Sequence, residues 1–273
     1  MILRNFPRLR AVLKGLVPPL VLNVLRGRPL VPKPIWTGVY DSPAALGLVK
    51  TSYDTQTEVE KHAGWTRQAL ETQQAGSKLF LWHSPMATVA ALLVARQGRV
   101  RVLDYGGATG RDYVQLLDNL PTGTVDYHVV DLPGMCAAGR AIFAGVAGIH
   151  FHERLPRLTE PVDIVYARSV LQYAEDYQQL LGDLVGVGAA YVVLSHTPTG
   201  EVPTYVSKQC NLKGIELPYW FLNLTELRHR LEAFGYLLVY HAKDGEDYDQ
   251  SNFPPTHRIH QMRNLIFARK TTN

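Results

Sequence analysis

Cysteine is nearly absent: Cys136 and Cys210 are the only two in 273 residues. They lie far apart and fit neither a Cys-x-x-Cys nor a zinc spacing. A disulfide framework is therefore excluded, and a reducing, cytoplasmic compartment is the expectation. Charge is also scarce, at 19% of residues, and the net balance of +4 is too mild to argue for a nucleic-acid partner; none is expected. No apolar run is long enough to span a bilayer. The best, Leu16–Leu22, is broken by Pro18-Pro19 and preceded by Lys14. No small-x-small cleavage site follows it; Arg26-Gly27-Arg28-Pro29 does. Acids are missing before Asp41, whereas Arg4, Arg8, Arg10, Lys14, Arg26, Arg28 and Lys33 all precede it. That segment reads in two ways: a basic amphipathic anchor touching an anionic membrane surface, or short helices packed on the main domain with a solvated basic face.

Against these absences stand 46% hydrophobic residues, enough for a large core. No internal repeat or low-complexity segment is visible. Pro29 to Pro43 reads as a linker, and residues from about 54 to 97 as helical, with Ser84-Pro85 as a helix start. From residue 99 strands and helices alternate. Strands are expected at 100–103, 127–130, 149–152, 162–166, 190–194, 236–241 and 264–269. Helices are expected at 111–120, 133–146, 174–185 and 224–234, the last with an Asn223…Glu226 capping box. This order predicts an α/β fold, a doubly wound, mostly parallel seven-stranded sheet with an N-terminal helical extension. The expected division is 1–45 as a basic, apolar helical segment and linker, 46–98 as a helical cap, and 99–273 as the Rossmann-like domain.

The most informative stretch is Val102-Leu103-Asp104-Tyr105-Gly106-Gly107-Ala108-Thr109-Gly110. A strand ends in an acid, and a glycine-dense turn leads into a helix. Glycines there let the backbone pass close to a ligand. An acid before the turn repels a nucleotide diphosphate and favours a ligand bearing an amino group and a sulfonium, which points to S-adenosylmethionine. Asp131 ends the second strand, 21 residues beyond Gly110 (131 − 110), where a carboxylate accepts hydrogen bonds from ribose hydroxyls.

These motifs resemble those of the class I S-adenosylmethionine-dependent methyltransferases. The run 102–110 is similar to that family's first motif, with Ala108 replacing a middle glycine. Val129-Val130-Asp131-Leu132-Pro133 is similar to the second, in the form seen in small-molecule O-methyltransferases. The chain also resembles a bacterial family of methyltransferase-like proteins often associated with surface-polysaccharide genes. It shares a Pro-Pro near the N-terminus, Leu103-Asp104-x-Gly106-Gly107 and Leu171-Gln172-Tyr173. The resemblance implies that Asp104 and the backbone of Gly106, Gly107 and Gly110 hold the methionine portion, Asp131 the ribose and Leu132 the adenine face. Glu153, with His152 as the alternative, would meet the adenine amino group, and Ser169 and Tyr166 would stand beside the sulfonium. The acceptor it implies is a small molecule or a glycan sugar.

Several reaction-specific signatures are missing. After the fourth strand the chain reads Ala167-Arg168-Ser169-Val170 rather than Asn/Asp-Pro-Pro-aromatic, and no His-Asp-Trp element follows. A weakly acidic hydroxyl acceptor needs a general base. His196, after the fifth strand, is the first candidate and His83 the second. No metal is expected, because His257 and His260 lack a third ligand. The aromatic stretches 197–222 and 248–255 are candidate covers for an acceptor pocket, or else a satellite core under long loops. Competing readings are a nicotinamide-dependent oxidoreductase, disfavoured by Asp104 and by the lack of Tyr-x-x-x-Lys, and a non-catalytic binding module.

Overall fold

The computed structural model describes residues 34–47, 55–76, 84–212, 215–245 and 247–270. The basic segment before residue 34 and His83 lie outside the described residues. Among the described residues no helix is long and apolar enough to cross a membrane.

The expected seven-stranded sheet is present. Its strands are β2 (Val100–Tyr105), β3 (Val125–Val130), β4 (Ile149–His152), β5 (Ile164–Arg168), β6 (Tyr191–Thr197), β10 (Tyr236–Asp244) and β11 (Met262–Arg269), in the order β10-β11-β6-β5-β2-β3-β4. The five strands from β6 to β4 pair in parallel, and β11 runs antiparallel to both of its neighbours. Alternate residues feed two cores. Leu103, Val165, Val192 and Leu265 pack on one face against α5 (Tyr177–Gly186) and α6 (Leu224–Ala233). Val102, Tyr127, Ile164 and Val193 pack on the other, with α2 (Pro85–Gln97) and α3 (Arg111–Asn119). Truncating a fully buried leucine such as Leu103 to alanine would cost ~2–5 kcal/mol.

Helix boundaries follow local chemistry. In α5 the Asp176 carboxylate accepts from the amides of Gln178 and Gln179, both at 2.9 Å, so the helix starts three residues later than expected. Helix α4 (Pro133–Ile142) stops before 146 because Phe143 caps it and Gly145 adopts φ +78°. Asn223 caps α6 as expected, accepting from the Glu226 amide at 2.9 Å. Ser84 precedes α2 but does not cap it; its hydroxyl donates to Tyr166 Oη at 3.2 Å.

A second, four-stranded sheet departs from the sequence reading. It joins β1 (Trp36–Tyr40), β8 (Tyr205–Leu212), β9 (Ile215–Asn223) and β7 (Thr199–Gly200) in the order β1-β8-β9-β7. The expected linker therefore contains a strand, and the stretch 197–222 is largely a hairpin. Pro218 hid β9, yet it is tolerated: β7 meets β9 only at Leu222 and Asn223, so Pro218 has a strand on one side alone. Leu217, Tyr219 and Phe221 alternate as the buried positions of β9, and Tyr219 and Phe221 join Trp36, Tyr205, Phe253 and Met262 in a third core.

Candidate active site

The carboxyl ends of β2 to β5 open into a cleft of about 840 Å³, within the range of small-ligand pockets. Of the expected site residues, Gly106, Asp131, Leu132, Glu153 and Ser169 line it; Asp104, Gly107, Gly110 and His196 do not.

The glycine turn is built from backbone constraints. Gly106 adopts φ +78° and donates its amide to the Val130 carbonyl at 2.7 Å; a Cβ there would sit 2.3 Å from Val170 Cγ2. Gly107 lies over Asp104, whose Oδ2 would be 2.2 Å from an added Cβ. Gly110, at φ +84°, faces Ile149 and Phe143 rather than the cleft, and serves as the entry to α3.

Asp104 lies beneath the turn. Its carboxyl is 1% exposed and accepts a 2.7 Å hydrogen bond from the Tyr127 hydroxyl. Burial raises its pKa well above the carboxylate range, Asp112 adds to the rise, and the Tyr127 bond opposes it. The carboxyl is thus enclosed beneath the turn, against Gly107. Asp131, by contrast, lines the cleft. Its Oδ2 accepts the Ala108 amide and its Oδ1 the Leu132 amide, each at 2.7 Å. A turn amide that would cradle a phosphate is thus already held by a carboxylate. Around it the cleft is lined by Glu153, Glu175, Asp176 and Asp183, against Arg154 and Arg168.

Leu132 is 39% exposed at the start of α4, a large apolar surface turned to the cleft. Glu153 is half-exposed and accepts from Arg140 Nη1 at 3.2 Å. Its alternative, His152, instead places Nε2 3.0 Å from His128 Nδ1. Tyr166 is fully buried and does not line the cleft.

His196 ends β6 in an acid–base network. Its Nδ1 lies 3.1 Å from Asp244 Oδ2, its Nε2 3.2 Å from the Tyr248 hydroxyl, and its amide donates to Asn264 Oδ1 at 3.1 Å. The His196 hydrogen bond holds the Asp244 carboxyl below its ordinary range, and Arg168 contributes from 3.7 Å. Arg168 also lines the cleft, so the network borders it through that side chain.

Three features escaped the sequence reading. Ala108, Ser169 and His196, at φ +49°, +54° and +49°, are the non-glycine residues with positive φ among those described. They follow or end β2, β5 and β6, the three central strands, and such strain concentrates at functional sites. The first helix, α1 (Gln56–Gln74), covers the turn: Thr66 Oγ1 meets Thr109 Oγ1 at 2.7 Å, and His62 lines the cleft. Finally, Trp220 Nε1 donates to the Ala174 carbonyl at 2.9 Å, and Tyr173 packs edge-on against Tyr219. The aromatic stretch is therefore a satellite core that buttresses the β5–α5 connection lining the cleft.

No protein-family model matches the chain, and no curated protein does. Solved structures do. Magnesium protoporphyrin IX methyltransferase from Synechocystis, with S-adenosylmethionine bound, is 16% identical over 81% of this chain and 100% of its own, with a TM-score of 0.47. Burkholderia thailandensis 1,6-didemethyltoxoflavin-N1-methyltransferase, with S-adenosylhomocysteine, is 16% identical over 82% and 94%, with a TM-score of 0.47. An amino pentose methyltransferase from Micromonospora echinaspora is 14% identical over 82% and 100%, with a TM-score of 0.44. At such identities the likeness is one of fold.

Proposed function

We propose that the chain is an S-adenosylmethionine-dependent methyltransferase that O-methylates a small hydroxylated acceptor, such as a sugar of a glycan. One observation carries the cofactor assignment. The Asp131 carboxylate occupies the turn amide of Ala108 inside an acid-lined cleft, which suits a ribose with a cationic neighbour and disfavours a diphosphate. In this reading Asp131 holds the ribose, Leu132 covers the adenine face, Glu153 meets its amino group, and the backbone at Gly106 and Ser169 flanks the sulfonium. Asp104 and Gly107 act through the turn's shape. Bound there, the cofactor supplies an electrophilic methyl group.

His196 is the proposed base. With the Asp244 carboxylate accepting a hydrogen bond from Nδ1–H, Nε2 carries the lone pair that removes the acceptor's hydroxyl proton, once Tyr248 yields its hydrogen bond. Asp244 then stabilises the imidazolium. The glycan acceptor rests on the motif resemblance alone. Calorimetry with S-adenosylhomocysteine and with NADH tests the cofactor. Binding of the sulfur ligand and not of NADH is expected; the reverse pattern would overturn the assignment.

A further inference from the structure

A second cluster of chemistry-bearing side chains lies away from the cleft, on one face of the β3–β4 edge. Because side chains alternate, Asp126 and His128 of β3 share a face, and His128 pairs in register with His150 of β4. Asp126 Oδ1 is 3.1 Å from His128 Nε2 and 3.4 Å from His150 Nε2, and all three atoms lie within 4.8 Å of one another. The rings of His128 and His150 stack at 4.8 Å with 23° between their planes. His128 Nε2 is buried and, among the described residues, makes no hydrogen bond of acceptable angle despite its approach to Asp126.

We propose that Asp126, His128 and His150 form a binding site for a first-row divalent transition metal such as Zn²⁺, with water completing the shell. Ligand atoms about 2.0–2.2 Å from one zinc ion stand roughly 3.0–3.6 Å apart, so the separations of 3.1 and 3.4 Å from Asp126 Oδ1 fit, and the two imidazole nitrogens, within 4.8 Å of each other, need to stand in the same range. The donor set of two imidazoles and one carboxylate suits zinc, nickel or iron and not magnesium or calcium. The surrounding groups match what such a site needs. Arg101 Nε donates to Asp126 Oδ2 at 2.6 Å, which fixes the carboxylate and leaves Oδ1 for the ion. His128 Nδ1 lies 3.0 Å from His152 Nε2, so the second ring nitrogen has the outer partner that ligating histidines take. His150 is 52% exposed, which leaves an entry path and room for water. The ion would staple edge strand β4 to β3, the two strands that lead to Glu153 and Asp131. This inference does not depend on the proposed methyl transfer.

The test uses the full chain, freed of metal with EDTA and titrated with Zn²⁺ by calorimetry, and with Co²⁺ by visible absorption. One ion per chain, a rise in Tm with zinc and a nitrogen–oxygen Co²⁺ spectrum are expected. His150→Ala, at a half-exposed position, should leave the metal-free Tm unchanged and abolish the zinc-dependent rise. His152→Ala should weaken binding by about 10- to 100-fold, the usual effect of losing an outer partner. The proposal is overturned if the wild-type chain takes up no stoichiometric zinc. It is equally overturned if His150→Ala titrates like wild type, or if zinc is lost instead on replacing His257 and His260.

Discussion

Replacing Asp131 is the most direct perturbation of the cleft. Its two oxygens each hold a backbone amide at 2.7 Å, those of Ala108 and Leu132, and are partly exposed to the cleft where a ribose would lie. Asp131→Ala removes both tethers and the acceptor for the ribose hydroxyls. Hydrogen bonds to a charged group contribute about 1.5–3 kcal/mol each. Water competes for the same groups, so a net loss of about 1–3 kcal/mol in cofactor binding, roughly 5- to 150-fold in Kd, is expected. Asp131→Asn separates the two roles: its amide oxygen can keep one tether, but its NH₂ faces a second donor, so it should fall between wild type and alanine. Calorimetry with S-adenosylhomocysteine gives the numbers, and thermal unfolding reports whether the turn survives. If both variants bind S-adenosylhomocysteine as wild type does, the ribose is held elsewhere and the assignment of Asp131 fails.

Other outcomes follow from the same geometry. His196→Ala should lower turnover by about 10²- to 10⁴-fold, the usual contribution of a general base, while leaving S-adenosylhomocysteine affinity intact; single-turnover assays with a hydroxylated acceptor would decide, and an undiminished rate would remove His196 from the chemistry. Asp104→Asn should be nearly neutral in acid and become relatively more stable than wild type as pH rises. The raised folded-state pKa means that above about 3.9 the unfolded chain releases a proton that the folded chain keeps, so wild-type stability declines through that window. A Tm difference that stays flat with pH would contradict this. Gly106→Ala should destabilise by more than the ~1–2 kcal/mol of a left-handed alanine, because the methyl also meets Val170. Adding Val170→Ala should recover only the clash, which a double-mutant cycle by denaturant unfolding would measure.

The main sheet was legible because its strands are apolar runs separated by helices with readable caps, and its ligand end follows from strand direction. Asp131 could be placed at that end for this reason, whereas Leu132 and Glu153 came from the motif resemblance. The role of Asp104 could not, since whether a carboxyl after a strand faces solvent or the core depends on Tyr127 and Asp112, which sequence spacing does not orient. The second sheet was hidden because β1 and β8 pair across the whole domain and Pro218 masks the alternation in β9. The Asp126–His128–His150 grouping left a faint trace, an acid and a histidine two apart on one strand and histidines two apart on the next. It becomes visible only once the β3–β4 register is known.

The docking of Trp36 has a temporal side. Thr37 contacts Cys210, 173 residues further along, and Trp36 accepts a hydrogen bond from Asn252 still later. At about 5–20 residues per second of synthesis, β1 would wait roughly 9–35 s for its first partner strand to emerge. During that interval a large indole and an unpaired strand edge stand bare to solvent. Nascent chains should therefore depend on chaperones around β1 until β8 has emerged, well before the seven-stranded sheet is complete.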